Sequence, residues 1–207
     1  MSSRFGASEM RLNLLDPSLP LEYPVNVFYD VFDKRQALEY DALANFTEKG
    51  AWEEALHFIE DHHHLINTSR LRKRPKESED VENESKTFLW TPLHWAASSQ
   101  DAGLDIIERL LHFGALKSLE TARGETAYDI ALESKRSNEI LEALEVPASV
   151  KKNKDAIRKI REVSHNIIEE RVGDIIKENG MQLPQIQILW EVSNECGECV
   201  RNHNTTA

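Results

Sequence analysis

The chain has 207 residues, 40% of them hydrophobic and 29% charged, and a formal net charge of −11. That length suits one domain, or one domain with a small annex. The acidity argues against direct nucleic-acid binding, whose affinity rests on basic patches. No run of about 20 apolar residues offers a membrane span.

Residues 1–20 mix polarities, carry two prolines near their end and lack the apolar stretch of a secretory signal. They read as an irregular arm, and a soluble cytoplasmic protein is expected. The aromatic, β-branched run LEYPVNVFYDVF that follows predicts an extended segment padding one end of the molecule. Asp33 is placed to cap a helix running toward Phe46. In ALANFTEKGAWEEALHFIEDHHHLIN, Leu43, Phe46 and Thr47 fall on one helix, Gly50 in a turn, and Ala55, Leu56 and Ile59 on a second helix.

The three histidines His62 to His64 cannot converge on one ion from a helix, where consecutive side chains diverge. A polar end to the second helix, favoured by its dipole, accounts for them more simply. Residues 68–88 then place a basic block, RLRKRPK, beside an acidic one, ESEDVENE. Few apolar residues there predict a flexible charged insertion. A basic block can serve nuclear import or phosphate binding, but the acidic block beside it can neutralise it.

At TPLHWAASSQ the pattern sharpens. Thr91 is a helix N-cap and Pro92 stands at the first helical position, where its missing N–H costs nothing. Leu93, Ala96 and Ala97 make an apolar stripe thin enough for close helix approach. His94 needs a polar partner, and the Thr91 hydroxyl is the one expected. Ile106, Ile107, Leu110 and Leu111 share a helix face, and Gly114 stops that helix. A weaker copy begins at Gly124, with Thr126, Ala127, Tyr128, Asp129, Ile130 and Ala131, and Thr91 and Thr126 lie 35 positions apart.

TPLHWAA, IIERLLHFGA and RGETAYDIA, in that order, resemble the ankyrin-repeat family, whose period is about 33 residues with a T-P-L-H-x-A signature. The two surplus residues are placed in the turn at 100–104. The resemblance is clear over 89–145. It extends backward in outline to a degenerate first repeat at about 38–67. It implies an all-α solenoid of about three helix-turn-helix repeats at 38–145, interrupted by the insertion 68–88. An N-terminal arm, 1–37, and a C-terminal long helix and tail, 146–207, flank it.

In that tail, Ile157, Ile160, Val163, Ile167, Ile168, Val172, Ile175 and Ile176 draw one stripe along a helix of about 30 residues that would cap the stack. A coiled-coil or dimer helix is the alternative. The segment MQLPQIQILWEV fits either a strand or a helical turn. Long helix and LPQI together resemble C-terminal segments of some bacterial ankyrin proteins.

The family implies a non-catalytic protein-binding module: an adaptor, an inhibitor or an immunity-type protein. Inter-repeat loops and first helices would form its concave contact face. On this chain those places hold Leu89, Trp90, Trp95, Ser98 and Ser99 in one repeat, and Arg123, Glu125 and Ile130 in the next. The partner is expected to be a protein with a basic surface. No nucleophile–base pair, glycine-rich phosphate loop or HExxH motif points to an enzyme, and no cofactor is expected. The alternative is a zinc-clipped or thiol-active tail. Cys196, Cys199 and His203 are its weak candidate ligands, at most three, so no tightly held metal is expected.

Overall fold

The computed structural model describes residues 28–72, 89–179 and 181–192. The N-terminal arm up to residue 27, the bulk of the charged insertion at 73–88, and Cys196, Cys199 and His203 lie outside the described residues. Among the described residues the fold is all-α: three helix pairs followed by a long helix that recrosses the stack.

The first pair is α1 (Lys34–Glu48) and α2 (Trp52–Asp61). Asp33 starts α1 as its sequence position suggests, its carboxylate accepting from the N–H groups of Arg35 (2.8 Å) and Gln36 (3.1 Å). Gly50 turns the chain with φ of 70°, a region closed to most side chains. The second pair is α3 (Pro92–Ser98) and α4 (Leu104–His112), and the third is α5 (Ala127–Glu133) and α6 (Asn138–Leu144). First helices pack in series, α1 on α3 on α5, and second helices likewise, α2 on α4 on α6. Fully buried Ala96 and Ala97 allow the close α3–α5 contact. Leu56, Ile59, Leu93, Ile107, Leu110 and Leu144 fill the space between the two layers. Each such side chain contributes about 1.5–3 kcal/mol of burial, and none of the three pairs could bury its apolar face alone.

Polar side chains stitch the pairs together. Asn67 donates to the Gly114 carbonyl (3.0 Å) and accepts from the Leu116 N–H (2.9 Å). His94 accepts at Nδ1 from the Thr91 N–H (3.1 Å), with the Thr91 hydroxyl at 2.8 Å. Its Nε2 reaches the Leu119 carbonyl at 3.1 Å. Arg136 stands in the charged run ESKRSNE, a pattern usual for a solvated surface, yet it is buried. Its guanidinium holds the carbonyls of Ser99 and Ala102. The inter-helix turns of the second and third pairs are therefore locked to one another, and Gln100 adds a bond to the Ser134 carbonyl.

The start of the charged insertion is also structured. Thr68 and Leu71 are buried, and Arg70 pairs with Asp41 and Glu48 on α1. Those carboxylates fold the first basic residues against the stack. Before α1, Phe28 forms one parallel β-bridge with Arg72, and Tyr29–Val31 make a 3-10 turn.

The helix expected over about 30 residues is broken. A short α7 (Ala148–Lys152) ends at Asn153, and α8 (Lys154–Asn179) departs from helical geometry at Val172. The expected capping stripe is mostly not buried. Ile157 is covered, whereas Ile160, Val163, Ile167, Val172 and Ile175 are exposed. At its far end α8 reaches the segment before α1, where the Asn179 carbonyl accepts from the Phe28 N–H (3.0 Å). Residues 181–185 then run without regular structure and 188–192 are helical, so the MQLPQIQILWEV segment contains no strand.

Candidate interaction face

The row expected to meet a partner divides once the side chains are placed. Trp90 and Trp95 stand together, ring centroids 4.8 Å apart at 65°, an edge-on aromatic pair. Both are partly exposed and pack on the core from outside it. Trp90 also borders a small cleft with Tyr40, Leu43 and Thr47 of α1, so the first and second repeats hold its ring between them. Ser98 and Ser99 are partly exposed beside α3. Their hydroxyls serve the local turn, Ser98 donating to the Trp95 carbonyl and Ser99 accepting from the Asp101 N–H.

Arg123 and Glu125 sit in the loop before α5, 3.6 Å apart. Thr121 shapes that loop, its hydroxyl accepting from the Arg123 and Glu125 N–H groups. Ile130 does not belong to the row. At 4% exposure it is part of the core between α3 and α5 and offers a partner nothing, and Leu89, at 8% exposure, is likewise buried.

The two copies of the cap show why His94 and Asp129 differ. Asp129 accepts from the Thr126 N–H (2.8 Å) and hydroxyl (2.7 Å), a capping box like that of Thr91 and His94. Asp129 is exposed and its bonds stay within the cap. His94 additionally spans to the loop at Leu119. Burial pushes the His94 pKa down to about 4, against the lesser raising effect of the Leu119 and Glu125 backbone carbonyls. The geometry agrees. Nδ1 faces an N–H donor, so a proton there would set donor against donor. The pair is buried and its bonds run to the backbone of its own cap and of the following loop, which makes it a structural staple.

Sequence reasoning missed that the chain's own C-terminal segment covers part of the loop surface. The Glu191 carboxylate accepts from the N–H groups of Lys117 (2.8 Å) and Ser118 (2.9 Å) and from the Ser118 hydroxyl (2.5 Å). The Gln185 amide pairs in both directions with the Glu120 backbone, at 2.7 and 2.8 Å, and Gln187 donates to the Ser118 carbonyl (3.1 Å). Ile186 and Ile188 are buried beneath them. Side chains of one segment thus satisfy the backbone edge of loop 117–120. The spacing of Gln185, Gln187 and Glu191 was the available signal, but it has no meaning until the loop is known to lie opposite.

Arg161 of α8 strengthens the attachment, contacting Glu120 (3.3 Å) and Gln187 (2.7 Å), and His165 meets the Pro184 carbonyl (2.9 Å). An open groove of about 410 Å³ lies alongside, lined by Glu120, Arg161, His165 and Glu169 among others. Its arginine and imidazole are committed to these internal bonds. Of the loop row, then, 117–120 is occupied in cis, and Trp90, Trp95, Arg123 and Glu125 remain accessible.

His62 caps the C-terminus of α2 and stacks on Phe58, centroids 4.2 Å apart. Among the described residues no group of three His, Cys, Asp or Glu is placed to hold a metal ion. No helix among them is long and apolar enough to cross a membrane.

With two helices per unit, serial packing and a Thr91–His94 cap that reaches the following loop, the unit around α3 and α4 has a recognisable form. The family model for the ankyrin repeat matches residues 88–120. Residues 88–120 are an ankyrin repeat. The helix pairs on either side follow the same two-layer packing, so the fold is an ankyrin-like all-α solenoid. No curated protein and no solved structure matches the chain. Ankyrin repeats are in general protein–protein interaction modules, typically without catalysis, and the repeat points to a protein partner.

Proposed function

We propose that this chain is an adaptor or inhibitor that binds one protein partner through the first-helix and loop row of its second and third repeats. The observation that carries the reading is the Trp90–Trp95 pair. Two large aromatics stand together at the surface, rigidly backed, beside the charges of Arg123 and Glu125. Interface energy concentrates in such clusters of Trp and Arg, with surrounding polar groups fixing register. The net charge of −11 favours a partner with a basic surface, which it would steer at low salt.

The test is affinity capture from the native cell, with the partner identified by mass spectrometry and its affinity then measured. Trp90→Ala or Trp95→Ala should weaken binding by about 2 kcal/mol or more if the pair is a hot spot. Lys135→Ala and Glu139→Ala, exposed around the inter-helix turn and α6, should change it little. Loss of capture in the second set and retention in the first would overturn the assignment.

A further inference from the structure

We propose that the outer face of α8 pairs with the same face of a second copy of this chain, the two helices running antiparallel. Two independent features of α8 lead there. The first is an apolar stripe facing away from the stack. Ala156, Ile160, Val163 and Ile167 follow gaps of four, three and four, which place them on one side of the helix. Ile160 is 43% exposed, Val163 59% and Ile167 47%. The opposite side, with Ile157, Arg161 and His165, faces the loop at Glu120 and the C-terminal segment through the contacts above. A helix with one face already satisfied internally therefore carries a second apolar face with the spacing of a coiled-coil seam.

The second feature is the order of charges. Residues 154–161 hold four cations and one carboxylate, net +3, and residues 162–179 hold five carboxylates and two cations, net −3. This order opposes the helix dipole, which favours acids at the N-terminus and bases at the C-terminus. An antiparallel second copy lays each basic end along an acidic end, so the face is self-complementary under a two-fold axis. A parallel pairing would set like charges together. That complementarity is what selects a second copy as the occupant.

Helical spacing fixes a register. With Val163 of each helix on Ile167 of the other, Lys159 lies beside the partner's Glu170 at both ends of the seam. Val172 breaks the helix, so the straight part of the seam ends there. In that register position 172 of one helix meets position 158 of the other, so about 15 residues at a rise of about 1.5 Å give roughly 22 Å of contact. A strip about 10 Å wide then buries on the order of 450 Å² in total, well below a stable interface of about 1,200 Å². The interface is therefore small, and the dimer forms only at high local concentration.

Sedimentation velocity on the full chain from about 10 μM to 1 mM tests this. A reversible monomer–dimer equilibrium is expected. Ile167→Asp, at an exposed position, should weaken it at least tenfold without changing the circular dichroism or the melting temperature. Lys159→Glu and Glu170→Lys should each weaken self-association about threefold at low salt, and an equimolar mixture of the two should restore it. A monomer at every concentration overturns the proposal, and so does a dimer indifferent to Ile167→Asp. Failure of the mixture to recover association overturns the antiparallel arrangement. Binding of a different protein to the Val163 and Ile167 face of a strictly monomeric chain would replace the second copy as its occupant.

Discussion

Lowering the pH should pull out the His94 staple. The ring is buried, its Nδ1 accepts from the Thr91 N–H, and its Nε2 is satisfied by the Leu119 carbonyl, so the native structure holds it neutral. Its folded pKa is about 4, against 6.5 for the unperturbed side chain. The direction follows from linkage. Above pH 6.5 neither state binds the proton and the staple contributes fully. Between 6.5 and 4 only the unfolded chain takes it up, so stability falls as the pH falls. Below 4 both states are protonated and the loss is complete. At about 1.4 kcal/mol per pKa unit the total is on the order of 3 kcal/mol, a large part of the 5–15 kcal/mol that holds a typical domain. Urea unfolding of the native chain and of His94→Gln at pH 7.5 and 4.5 isolates it, since other titrating groups act on both proteins. The stability gap between them should narrow by about 2–3 kcal/mol at the lower pH. Parallel pH profiles would refute the reasoning, as would an NMR titration showing the His94 ring protonating above pH 6.

Asp129→Ala removes the N3 half of the last repeat's capping box, leaving the Thr126 N–H without its acceptor, and should cost about 0.5–1 kcal/mol, read as a shift in urea midpoint; no shift would show the box to be idle. Arg136→Met keeps much of the side-chain volume but leaves the Ser99 and Ala102 carbonyls without their donor, and should cost about 2–4 kcal/mol, since a buried charge-assisted bond is lost on each side. A smaller effect would mean that water replaces the guanidinium. Glu191→Ala should release the C-terminal segment: the amides of Lys117 and Ser118 should exchange at least tenfold faster with hydrogen isotopes while α3 and α4 stay protected. Unchanged exchange there would show that the segment is held by Ile186 and Ile188 alone.

The parts of the fold legible in the sequence were those written in local chemistry. Thr91, Pro92, Ala96 and Gly114 each have a conformational or packing reason to stand where they do, and together they set one repeat and its phase. The first repeat lacks that signature but keeps its apolar spacing and the turn glycine at Gly50, which was enough to place α1 and α2. What escaped was long-range and polar. Arg136 looks like any surface cation until the turn carbonyls of the preceding repeat are set around it. Glu191 clamps a loop more than seventy positions earlier, a pairing that no local period encodes. The α8 stripe was visible as a stripe, but its division between a stack-facing side and an outer side was not, because both sides carry isoleucines. Ile130 was placed on the contact face from the family pattern, and its own apolar character, continuous with Ala127 and Ala131, argued for the core.

Hydrogen exchange on the chain alone and in complex with its captured partner tests the interaction face most directly. The amides at 90–95 and 121–125 should slow on binding, in one contiguous footprint around Trp90, Trp95, Arg123 and Glu125. Loop 117–120, already held by Gln185 and Glu191, should change little. Protection confined to the turn at 134–137 and to α6, with no effect at 90–95, would contradict the assignment.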